Sequence, residues 1–77
     1  MRMFIEVTDT REPVGVEEIT NRNTLLNVDQ IVSIQSIEPR LAKELGYNTT
    51  IVTTRNNYYV VETMEEIEFS LRLATQN

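Results

Sequence analysis

Few residues in this chain have the chemistry that catalysis needs. The sequence contains no histidine and no cysteine, which excludes most nucleophilic triads and acid–base schemes. Lys43 is the only lysine and lies in a segment that we expect at the surface. Asp29 and Glu62 would form a magnesium site only if the fold happened to bring them together, and a chain of 77 residues rarely encloses the cleft of a paired-carboxylate hydrolase. We therefore predict a protein that is not an enzyme and that holds no metal or cofactor.

The basic residues do not form the cluster that binding to nucleic acid requires. The 7 lysine and arginine residues are scattered along a chain whose net charge is −5. Tyr58 and Tyr59 beside Arg55 could stack on bases, but packing of these rings against cross-strand neighbours is the favoured interpretation. Gly15 and Gly46 are the only glycines, which excludes a glycine-rich phosphate loop. Nucleic acid is therefore not an expected partner.

Length and composition predict one small domain over residues 1–77. A chain of this size buries only about 60% of its unfolded surface, so a compact core or self-association must provide stability where disulfides and zinc cannot. The first residues lack the apolar region of an export signal, and no run approaches the ~20 apolar residues of a membrane span. We expect a cytoplasmic protein that does not insert into membranes.

The last third of the chain indicates how this domain is built. Residues 51–54 and 58–62 alternate as strands, and Asn56 and Asn57 lie at the reversal between them, where a two-residue type I′ turn would suit asparagine. Thr63 and Glu66 then fit a capping box that begins a helix over residues 63–74. The helical spacing predicts a buried stripe with two residues that widen it at the side: Met64, Ile67, Leu71 and Ala74, then Phe69 and Leu73.

The first third contains strands separated by polar segments. Residues 2–8 alternate as a half-buried strand, with Met3, Ile5 and Val7 on one face. Residues 9–13 are expected to break this strand, because turn-forming residues and Pro13 cluster there. Residues 14–19 form either a second short strand or an irregular excursion, residues 20–23 form a loop, and residues 24–28 resume a strand.

The middle of the chain completes the predicted sheet. Residues 27–30 are expected to form a turn or bulge, followed by strands over 31–37 and 48–54. Between these strands, residues 39–46 form either a short helix, with Pro39 in its first turn and Gly46 after its end, or a long hairpin loop. The sequence thus predicts an α+β fold with a small antiparallel sheet of four to five strands, a C-terminal helix and a short helix at about 39–46.

Several predicted strands are apolar on both faces. Tyr58 and Val60 face one way, and Tyr59 and Val61 face the other way. One helix covers only one face of a sheet, so either the sheet curls into a small barrel or a second subunit covers the other face. We favour a homo-oligomer. The candidate partner-binding residues are Phe4, Tyr58, Tyr59, Glu65 and Glu68.

Two motifs, at residues 26–31 and 60–67, resemble those of the FlbD-like family of small bacterial proteins. The family shows an l-N-x-D-x-I segment, which Leu26-Asn27-Val28-Asp29-Gln30-Ile31 matches. It also shows V-x-E-S-x-E-E-V before a C-terminal helix, which residues 60–67 match with Thr63 in place of serine. The resemblance covers about half of the chain, including the opening strand. It implies a link to bacterial flagellar function.

These observations favour one hypothesis about function and leave two others open. The first is a self-associating, non-enzymatic module that binds an unidentified protein. The second is an inhibitor or regulator, of a type found in phages and mobile elements, that presents Glu62, Glu65, Glu66 and Glu68 to a basic site. The third is a regulator associated weakly with nucleic acid through Arg55 and its neighbouring tyrosines.

Overall fold

The computed structural model describes residues 3–11 and 20–76, which form a five-stranded antiparallel sheet with two α-helices. The spatial order of the strands is β2-β1-β5-β4-β3. This architecture confirms the predicted α+β class, including the C-terminal helix and the short helix. The elements are β1 (Phe4–Arg11), β2 (Thr20–Asn27), β3 (Ile31–Ser36), α1 (Pro39–Leu45), β4 (Thr49–Thr53), β5 (Asn57–Val60) and α2 (Met64–Thr75).

A three-residue connection shows that the sheet is strongly coiled. One 3₁₀ turn, Val28–Gln30, joins the two edge strands β2 and β3. Such a connection reaches ~15 Å at most, whereas the edges of a flat five-stranded sheet lie about 19 Å apart. The Val28 N–H donates to the Met3 carbonyl at 2.8 Å, and the Thr54 N–H donates to the Gln30 carbonyl at 2.9 Å. The expected turn at 27–30 is confirmed, and it draws the two edges of the sheet toward each other.

The core lies on the inner face of this coiled sheet, where α2 packs against β1 and β3. A bulge between Ile31 and Ser33 adds one residue to β3, so that Ile31 and Ile34 both contact the core. The coiling of the sheet encloses this core on its inner face. The buried core residues are Ile5, Val7, Leu26, Ile51, Val60 and Ile67.

The start of α2 has the capping box that the sequence predicts. The Thr63 hydroxyl accepts from the Glu66 N–H at 3.2 Å, and the Glu66 carboxylate accepts from the Thr63 N–H at 3.0 Å. The Ile67 side chain is buried on the side of α2 that faces the sheet, and Leu71 and Ala74 pack against the same core. The prediction that Phe69 and Leu73 widen this stripe is wrong, since they are 59% and 54% exposed. At ~100° per residue, Phe69 lies about 200° around the helix from Ile67 and therefore points outward.

The short helix α1 ends at a glycine in the left-handed conformation. Gly46 has φ 82° and donates its N–H to the Ala42 carbonyl at 2.9 Å. A residue without Cβ adopts this conformation at little cost, and Pro39 needs no N–H partner in the first turn. These two residues fix both ends of α1, which confirms the helix and rejects the hairpin loop.

Two expected interruptions of the N-terminal strands are wrong. β1 continues through Asp9 to Arg11, and β2 begins at Thr20. Asp9 pairs with Arg22 on one side and with Val60 on the other, and pairing on both sides outweighs the low strand propensity of aspartate. The sequence predicts the end of the break at residues 12–13 and either a second short strand or an irregular excursion at residues 14–19, and both segments lie outside the described residues.

The turn between β4 and β5 also differs from the expected type I′ turn. Within residues 3–11 and 20–76, no residue other than glycine has a positive φ. Instead, the Thr53 hydroxyl accepts from the N–H groups of Arg55 and Asn56 at 3.3 and 3.1 Å and donates to the Asn56 carbonyl at 2.7 Å. This threonine holds the turn together, so left-handed asparagines are not required.

Candidate interaction surface

A network of hydrogen bonds joins β1 and β4 to the junction between β5 and α2. The Glu62 carboxylate accepts from the Thr8 N–H at 2.7 Å and from the Thr8 hydroxyl at 2.8 Å. The hydroxyl of Thr49, which is fully buried, donates to the Glu62 carbonyl at 2.7 Å. The Asn48 side-chain amide donates to the Val61 carbonyl at 2.6 Å. These polar groups are engaged within the fold, so the junction has a structural role.

The structure assigns Glu62 to this junction and Asp29 to the 3₁₀ turn. In the part of the chain that the structure describes, no group of three or more acidic side chains could hold a metal ion. Within the same residues, no helix has the length and apolar character that crossing a membrane requires.

The predicted partner-binding residues do not lie on one surface. Tyr58 pairs with Ile51 and is half-buried against the core, so it lies on the inner face. Tyr59 lies on the outer face, 40% exposed, with its ring centroid 5.0 Å from that of Tyr47. The two tyrosines beside the exposed Arg55 therefore point to opposite sides of the sheet and do not form a common stacking platform.

Phe4 belongs to a small apolar patch on the outside of the β1–β2 hairpin. Phe4 is opposite Asn27 and Leu25 is opposite Glu6, so Phe4 and Leu25 are diagonal neighbours on the outer face. Phe4 is 47% exposed and Leu25 is 66% exposed. We call these two residues the hairpin patch. The exposed Glu6 is its nearest charged neighbour along β1.

Glu65 and Glu68 are exposed on α2, beside a second apolar pair. Phe69 and Leu73 lie one turn apart on the outward side of α2, and we call them the helix stripe. Arg72 is in the last turn of the same helix. A shallow depression beside the stripe is lined by Glu68, Leu71, Arg72 and Thr75. The sequence pattern predicts that Phe69 and Leu73 widen the buried stripe. A helical wheel could have corrected this prediction, because it places Phe69 on a different side of the helix from Ile67.

Comparison of the chain with protein-family profiles, curated proteins and solved structures finds no match. The resemblance to FlbD-like proteins therefore rests on its motif residues. In this structure, Asn27 caps the 3₁₀ turn by accepting from the Asp29 N–H at 3.0 Å, and Thr63 caps α2. Both motifs thus coincide with local requirements of the fold.

Proposed function

We propose that this protein is a non-enzymatic interaction module that self-associates and binds another protein. The supporting observation is that large apolar side chains lie exposed as neighbouring pairs, among them the hairpin patch and the helix stripe. In these two pairs the exposed fractions range from 47% to 66%. A single exposed apolar residue is ordinary, but neighbouring ones form a surface whose removal from water favours association.

The polar groups support the same proposal. The sequence contains no histidine or cysteine. In the junction, the Thr8 hydroxyl donates to the Glu62 carboxylate and the Thr49 hydroxyl donates to the Glu62 carbonyl. Such groups stabilise the fold, because both oxygens of the Glu62 carboxylate accept hydrogen bonds from Thr8 in the partly buried junction. The flagellar setting that the family resemblance implies, with bacterial cytoplasm as the location, is part of this proposal.

Sedimentation velocity from about 1 to 200 μM tests self-association, because mass action populates oligomers at the higher concentrations. We expect the average mass to rise above the 9.0 kDa of one chain as concentration increases. Phe4→Ser/Leu25→Ser and Phe69→Ser/Leu73→Ser remove one apolar pair each, and Val32→Ser is the control at another exposed position. A monomer at every concentration would contradict the proposal.

The acidic side of α2 supports a second candidate, an inhibitor that binds a basic site on another protein. Glu65 and Glu68 are exposed, and neither forms an ion pair among the residues that the structure describes. Glu65→Lys/Glu68→Lys should abolish binding to such a target, and a partner retained at full affinity would refute this candidate.

The nucleic-acid hypothesis is now supported only by Arg55. A mobility-shift assay at about 50 mM salt tests it, because phosphate contacts are strongest at low salt.

A further inference from the structure

We propose that α2 pairs antiparallel with α2 of a second copy of this chain, about a two-fold axis near Phe69. This inference rests on the proposed self-association and names the surface that carries it. The helix stripe supplies the apolar contact, because Phe69 and Leu73 point away from the core that Ile67 enters. α2 has 12 residues and is therefore about 18 Å long, which is enough for three turns to lie side by side.

The charges on α2 favour the antiparallel arrangement. At ~100° per residue, Glu65, Glu68 and Arg72 all lie on the same side of Phe69. In an antiparallel pair related by a two-fold axis, this side of one helix faces the same side of the other helix. A residue that follows the axis position in one copy then lies beside a residue that precedes it by the same number of positions in the other copy. An axis near Phe69 therefore places Arg72 of each copy beside Glu65 and Glu68 of the other.

A parallel pair would have the opposite consequence. Each residue would then lie at the same level as its own counterpart, so the first turns of both helices would bring their glutamates together. The helix dipoles would also point the same way, whereas antiparallel helices place the positive end of one beside the negative end of the other. The helix has Glu65, Glu66 and Glu68 in its first half and Arg72 in its last turn, and this asymmetry fits only the antiparallel pair.

The hairpin patch is less suited to a second copy. Glu6 lies opposite Leu25 and is exposed, and no basic residue lies among the described outer-face positions beside it. A symmetric contact through this patch would bring two Glu6 carboxylates together, which is unfavourable. Pairing through α2 leaves the hairpin patch open in both copies.

The size of the contact sets its strength. A pair of three-turn helices lies at the low end of specific interfaces, below about 1,200 Å² of total buried area. We therefore expect a reversible dimer with a dissociation constant in the micromolar range, so concentration controls the assembly.

Charge reversal tests the register. Sedimentation equilibrium at low salt would compare the wild type with Glu65→Arg, Arg72→Glu and the combined variant, with far-UV circular dichroism to verify the helix. Each single reversal should weaken the dimer about 3- to 10-fold, because each pair occurs twice in a symmetric dimer. The combined variant should recover most of the affinity, and Phe69→Ser/Leu73→Ser should give monomers.

The outcomes separate this inference from the proposed self-association. A wild type that stays monomeric overturns both. A dimer that survives Phe69→Ser/Leu73→Ser but dissociates in Phe4→Ser/Leu25→Ser overturns pairing through α2 and retains self-association. Single reversals that weaken the dimer without recovery in the combined variant overturn the antiparallel register.

Discussion

The Glu62 carboxylate accepts two hydrogen bonds from Thr8, one from its backbone N–H and one from its hydroxyl. The two residues are 54 positions apart in the sequence. Glu62 immediately precedes the Thr63 cap, so this contact ties the beginning of α2 to the middle of β1. The position of α2, and with it the direction of the helix stripe, depends on this pair.

Glu62→Ala should lower the free energy of unfolding by about 1–3 kcal/mol, because the partly buried Thr8 N–H loses its acceptor. Urea unfolding measures the change. Glu44→Ala, at an exposed position on α1, is the matched control and should alter stability by no more than about 0.5 kcal/mol. Equal effects of the two substitutions would show that the Thr8 contact contributes nothing.

Ile67→Ala and Leu73→Ala remove similar side chains from a buried and an exposed position of one helix. Ile67 is 1% exposed and Leu73 is 54% exposed. We expect Ile67→Ala to cost about 2–5 kcal/mol through lost burial and a cavity. Leu73→Ala should cost far less when unfolding is followed at a concentration where monomers dominate. Similar losses at both positions would contradict the outward direction of the helix stripe.

Thr63→Ala should destabilise the protein by about 1 kcal/mol, because the Glu66 N–H loses the hydroxyl that caps it. Thr63→Ser retains that hydroxyl and should unfold at nearly the wild-type urea concentration. If serine is as damaging as alanine, the methyl group and not the cap stabilises this position.

Gly46→Ala forces a Cβ atom into the left-handed conformation at the end of α1 and should cost about 1 kcal/mol or more. Gly46→Asn should cost less, since asparagine tolerates this region better than alanine. Thermal unfolding of the three proteins measures the order of stability. A fully stable alanine variant would mean that α1 ends differently in solution.

Local rules explain what the sequence predicts well. The capping box at Thr63, the Pro39 and Gly46 boundaries of α1 and the turn after Asn27 each depend on residues within a few positions of one another. Such features are encoded in short segments, and the structure contains all of them.

The failures come from contacts that short segments do not encode. Asp9 belongs to a strand because Arg22 and Val60 pair with it from two sides. The turn before β5 depends on the Thr53 hydroxyl, whereas the sequence pattern predicted a type I′ turn at Asn56 and Asn57. Likewise, nothing near Glu62 in the sequence indicates that Thr8 is its partner.

The pairing between β1 and β5 has a consequence for the order of folding. Its register places Asp9 opposite Val60, while each of the other strand pairs joins strands that are consecutive in the sequence. The β1–β2 hairpin and the β3–β4–β5 meander can each form from nearby residues, but the contact between them closes a much longer loop. Because closing long loops slows folding, we expect docking of the hairpin onto the meander to be the rate-limiting step. The Thr53 turn and the docking contacts of Thr8 and Val60 are then all present in the transition state, so substitutions at these positions should slow refolding more than they accelerate unfolding.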